Sequence, residues 1–131
     1  VAGKRWWIAG LVVGIAGVAI ATWHILAVVA LKHVEIAPLE VAKVADGTYR
    51  AGHGYGLYHT TVEATVAGGR LTRLEAANNL PDPYSKKALV LGEAIVRAQS
   101  LEVEAVTGAT CSSNAILLAT HRALTSPPSR P

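Results

Sequence analysis

No charged residue lies between Trp6 and Leu31, and the stretch is apolar around nearly the whole circumference of any helix it would form. At about 1.5 Å per residue it reaches roughly 39 Å, enough to cross a bilayer with tilt or with its ends among the headgroups. One transmembrane helix is therefore expected, in a membrane segment comprising residues 1–33. The run is longer than the apolar region of a typical signal peptide, so a retained single-pass anchor is the expectation. Lys4 and Arg5 precede it, whereas Lys32 and His33 are soon followed by Glu35 and Glu40. This bias places the N-terminus in the cytoplasm and the remainder outside. Trp6 and Trp7 stand where an aromatic belt would mark the inner interface, with Trp23 nearer the outer half. Gly10 and Gly14, continued by Gly17 and Ala21, form a small-residue face that would let a second membrane helix approach.

Residues 34–45, with Pro38 among them, read as a short connector that lifts the C-terminal domain off the membrane. From Gly47 the period changes to two. Tyr58, Thr60, Val62, Ala64 and Val66 alternate with His59, Thr61, Glu63 and Thr65, which predicts a strand with one face for a core and one for water. Gly68 and Gly69 turn the chain, and residues 70–77 should return antiparallel. Leu71 and Leu74 are three apart, so both can face inward only across a bulge. Asp82 and Pro83 open a predicted helix carrying Ala88, Leu91, Ile95 and Ala98 at helical spacing. A second is expected from near Ser113, with Ile116, Leu117, Ala119 and Ala123. Strands followed by helices give an α+β class for a domain over residues 46–125, and the Ser-Pro-Pro tail, 126–131, is expected to be disordered.

Composition adds exclusions. In 131 residues there is no Phe or Met, so aliphatic side chains and Ala must fill the core. The net charge of +3 comes from scattered cations, not from a stripe that could follow a phosphate backbone, which argues against nucleic acid. A single cysteine, Cys111, excludes an internal disulfide and reads as a small residue beside a turn. The five histidines lack metal-ligand spacing; His24, within the apolar run, reads as a hydrogen-bonded or wetted side chain rather than a haem or pigment ligand. No catalytic set emerges.

The stretch Glu104-Ala105-Val106-Thr107-Gly108-Ala109-Thr110-Cys111-Ser112-Ser113-Asn114 has the make-up of a phosphate-holding turn. Gly108 permits backbone angles closed to other residues. Ser112 or Ser113 can cap the following helix, whose first amides point at any anion there, and Thr110 offers a hydroxyl. The string Glu104, Thr107, Gly108, Ala109, Thr110 resembles the signature of the FMN-binding domain family, which includes flavin-carrying subunits of the sodium-pumping NADH:quinone oxidoreductase and Rnf complexes. Asp46-Gly47-Thr48-Tyr49 resembles that family's domain opening, and Ala98-Gln99-Ser100 its approach to the motif. Glu104 stands where the family usually has Asp, and Cys111 occupies a variable position.

The resemblance implies FMN joined to Thr110 by a phosphoester bond, installed outside the cytoplasm by a separate flavin transferase that reads Glu104. It thus agrees with the orientation drawn from charge, an extracytoplasmic domain on the inner (plasma) membrane. The helix amides and the Thr107 or Ser112 hydroxyl would meet the phosphate, with Gly108, Ala109, Cys111 and Ser113 forming the turn. Tyr55, Tyr58, Leu80 and Pro81 are the candidate neighbours of the flavin ring. The implied activity is electron transfer, as a carrier or subunit of a membrane redox complex without a substrate pocket of its own. Partners would be transmembrane redox subunits docking on the Gly10, Gly14 and Gly17 face. Two other classes remain open: an assembly subunit with an unoccupied flavin fold, and a flavin-based redox sensor.

Overall fold

A computed structural model describes residues 2–79 and 83–129. Helix α1 (Ala2–Lys32) leads through a single 3-10 turn at Val41–Lys43 into three strands, β1 (Gly47–Tyr55), β2 (Tyr58–Ala67) and β3 (Arg70–Asn78). Three helices follow: α2 (Pro83–Ala88), α3 (Leu91–Ala98) and α4 (Thr110–Thr125). The architecture is α+β, as expected. Helix α1 is long and apolar enough to cross a membrane, and from Gly3 to Trp23 its side chains lie open.

The strands form an antiparallel meander in the order β1-β2-β3. Along β2, Thr60, Val62, Ala64 and Val66 are buried while the residues between them reach solvent, matching the alternation in the sequence. The register shifts at Thr65/Val66: Thr65 opposes Arg73 and Val66 opposes Leu71, leaving Thr72 as the extra residue of a bulge. That bulge buries Leu71 and brings Leu74 against the same core.

Helix α4 lies across β1 and β2, and α3 runs along β3. Between them, Val62, Val66, Leu71, Leu91, Ile95 and Ile116 are almost wholly buried. Ala119 and Ala123 present only methyl groups on α4, which lets a core without Phe close tightly.

Four expectations are corrected. The helix predicted from residue 83 is two helices, broken at Leu89 and Val90, because α2 packs on α4 whereas α3 packs on β3; Ala98 consequently lies exposed. Helix α4 begins at Thr110, three residues before Ser113. Residues 34–45 do not act as a spacer: Val41 is buried, and Ile36, Leu39 and Val44 pack on the domain core. The tail as far as Ser129 folds back, with the Ser129 N–H donating to the Thr48 carbonyl at 2.7 Å. Asp82, the expected helix cap, lies outside the described residues.

Gln99 closes α3 in the left-handed region, at φ 54°. Its side-chain oxygen accepts the Leu71 N–H and its amide donates to the Leu71 carbonyl, both at 2.7 Å, joining the helix end to the start of β3. Removing that amide leaves two partly buried backbone groups unmatched. Gln99→Ala is expected to cost about 2 kcal/mol, measured by urea unfolding of the full chain in detergent micelles.

His53, on the core side of β1 opposite Thr60, has its pKa lowered by burial, then by Arg122, then by His59. The folded state therefore binds this proton less readily than the unfolded chain. Its contribution to stability is complete above the ordinary imidazole pKa and declines as pH falls through that value toward the depressed one. A falling unfolding midpoint over that interval, flattened by His53→Gln, is the expected result.

Candidate functional site

The motif turn is shaped before the helix begins. Ala109 N–H donates to the Val106 carbonyl at 2.9 Å, with Gly108 between them at φ 79°. Thr110 is thus the first residue of α4, with an exposed side chain, and Ala109 is its N-cap. Ala109 has no side-chain oxygen, so no side chain caps the helix there. Neither serine performs the capping role expected of it. Ser113 Oγ accepts the Val106 N–H at 3.0 Å, reaching back from inside α4 to hold the turn. Ser112 is buried, with its hydroxyl 3.5 Å from the Tyr55 hydroxyl.

Tyr55 and Tyr58 flank the two-residue turn between β1 and β2, and their rings stack with centroids 5.4 Å apart. Gly56, at φ 61°, makes that turn possible and leaves room for α1: a Cβ there would come within 1.9 Å of His24 Nδ1. The same His24 nitrogen accepts the Leu57 N–H at 3.2 Å. The histidine in the apolar run is therefore hydrogen-bonded to the domain.

Where the hairpin, α1 and α4 meet there is a cavity of about 410 Å³, lined by Val28, Lys32, Tyr55, Tyr58 and the stretch from Gly108 to Ser112. Its size falls in the range of roughly 300–1,000 Å³ usual for small-molecule sites. A larger groove of about 1030 Å³ lies beside β3 and α3 among Arg50, Glu63, Arg73 and Glu93, away from the motif. The smaller cavity is the better candidate because aromatic faces, a cation, a helix N-terminus and a hydroxyl converge on it.

The structure therefore brings Thr110, Gly108, Ala109, Cys111 and Ser112 together with Tyr55 and Tyr58. Thr107 and Glu104 are exposed on the approaching segment and do not line the cavity, while Ser113 faces the turn from within. Leu80 and Pro81 lie outside the described residues. Val28 and Lys32 were not anticipated as wall residues; their only sequence signal is their place at the end of the apolar run.

Helix α1 is tied to this site directly. Asn114 Nδ2 donates to the Leu31 carbonyl at 2.8 Å, and Leu31, Tyr55 and Ala115 form a small buried cluster. Cys111 Sγ donates to the Val28 carbonyl at 3.5 Å. Burial pushes the Cys111 thiol pKa up, against a smaller opposing pull from Lys32, which disfavours the thiolate needed for redox chemistry.

Ser113→Ala removes the acceptor for the Val106 N–H. The expected outcome is faster amide hydrogen exchange at Val106 and a loss of about 1 kcal/mol in global stability, the size of one hydrogen bond. Unchanged exchange would show that another contact holds the turn.

The sequence pattern of the FMN-binding domain family matches residues 14–125, from within α1 to the last residue of α4. No curated protein and no solved structure was found to match. With most of its length covered, and with the motif turn set against a cavity of suitable size and chemistry, the chain belongs to the FMN-binding domain family.

Proposed function

We propose that this flavoprotein carries FMN covalently on Thr110, is held in the membrane by α1 with its domain on the extracytoplasmic side, and passes electrons between membrane redox partners. The observation that carries the reading is the exposed Thr110 side chain on the first turn of α4, at the edge of a cavity walled by two stacked tyrosines. The residues fit the group. Thr110 Oγ1 would be the bridging oxygen of a phosphodiester, whose remaining negative charge the free amides at the start of α4 would meet. Tyr55 and Tyr58 supply apolar faces for the ring. FMN supplies the electron chemistry, and the protein supplies position and electrostatics.

Each remaining feature has a task in this reading. The tether keeps the cofactor on a domain too small to bury it deeply. The open cavity edge leaves the ring accessible to partners. Lys32 places a positive charge at the cavity wall, favouring whichever flavin state is the more negative.

The decisive measurement is intact mass of the wild-type chain and of Thr110→Val, both produced in cells that possess a flavin transferase. The wild type is expected to carry an FMN-sized increment and the variant to lack it. An unmodified wild type, or a variant that keeps the increment, would overturn the assignment. Lys32→Gln is expected to lower the flavin midpoint potential by about 20 mV, equivalent to about 1 kcal/mol for two electrons, in a spectroscopic redox titration.

A further inference from the structure

The β1–β2 hairpin does not project into water beside the domain; it runs back along α1, and its tip meets the helix at His24. That contact fixes the depth of the tip. His24 lies eight positions before Lys32, or about 12 Å deeper along a helix rising 1.5 Å per residue. If the uncharged run from Trp6 to Leu31 is centred on a hydrocarbon layer of about 30 Å, His24 falls roughly 7 Å inside its outer boundary. Leu57, hydrogen-bonded to His24, lies at the same level.

The tip suits that medium. Residues 54–58 read Gly-Tyr-Gly-Leu-Tyr, with no charge, and the Leu57 side chain is 59% exposed. Away from water, backbone polar groups need partners within the protein. At Leu57 both are matched by side chains: His24 Nδ1 accepts its N–H, and Asn79 Nδ2 donates to its carbonyl, each at 3.2 Å. Asn79 also accepts the His59 N–H at 2.7 Å, completing the seal behind the tip. Trp23, 54% exposed beside His24, adds a large ring open to the same surroundings.

We propose that the β1–β2 hairpin is a second membrane contact, with Leu57 inserted among the outer-leaflet acyl chains beside α1. The inference rests on α1 spanning a bilayer. The domain is then held at two points, α1 and the hairpin tip, and the cavity formed by Val28, Lys32, Tyr55 and Tyr58 opens at the membrane surface.

The test uses the full chain with Cys111→Ser, reconstituted into vesicles of phosphatidylcholine and phosphatidylglycerol, with one nitroxide label at a time on Leu57→Cys, Trp23→Cys or Ala67→Cys. Circular dichroism checks that each variant is folded. Electron paramagnetic resonance then compares accessibility to oxygen, which concentrates in lipid, with accessibility to a water-soluble nickel chelate. Labels at positions 57 and 23 are expected to favour oxygen, and the label at 67, at the far end of β2, to favour nickel. Oxygen preference at 23 with nickel preference at 57 overturns the hairpin contact while leaving the spanning helix in place. Nickel preference at 23 overturns the spanning helix itself. Shielding of position 57 from both reagents replaces lipid with a protein surface as the occupant and overturns the proposal.

Discussion

Two helix ends meet in this molecule, and their needs are complementary. The last carbonyls of α1 have no partners within their own helix, and the first amides of α4 have none within theirs. Asn114, one turn into α4, satisfies the Leu31 carbonyl from a buried position, and Leu31 packs with Tyr55 and Ala115 around that bond. The first turn of α4, Thr110 to Ser112, lines the cavity. A hydrogen bond in a nearly dry setting is costly to leave unmade, so this junction determines where α1 sits relative to the domain.

From that junction the rest of the site is built. Joining α1 to α4 brings Val28 and Lys32 into the same wall as the motif, and it holds His24 where the hairpin turn can reach it. The hairpin in turn presents Tyr55 and Tyr58. Three elements far apart in the chain thus supply the cation, the aromatic faces and the hydroxyl-bearing helix start. Without Phe or Met, the domain core closes around Tyr49 with aliphatic groups, while Tyr55 and Tyr58 stand at the cavity.

The protein's general nature and its special feature come from different scales of order. Flavin-family membership rests on a pattern covering most of the chain, whereas the cavity depends on contacts such as Asn114 to Leu31, separated by 83 positions. The family pattern starts inside α1, so the membrane-crossing length of helix and the domain are not simply two modules joined by a string. The packed segment containing Val41 agrees: it covers core instead of extending reach.

What the amino-acid sequence determined by itself was whatever depends on neighbours along the chain. The apolar run dictated α1, the alternation from Tyr58 to Val66 dictated the faces of β2, and the three-residue offset of Leu71 and Leu74 required a bulge. Only tertiary structure decided that Ser113 would hold the Val106 N–H instead of capping α4, and that the predicted helix from residue 83 would break to serve two surfaces. It likewise decided that the end of α1 would become part of the cavity. Periodicity records which side of an element is apolar; it carries no information about which distant element will cover that side. That choice is made by shape, by small residues such as Ala119 that permit close approach, and by the demand of each buried polar group for a partner.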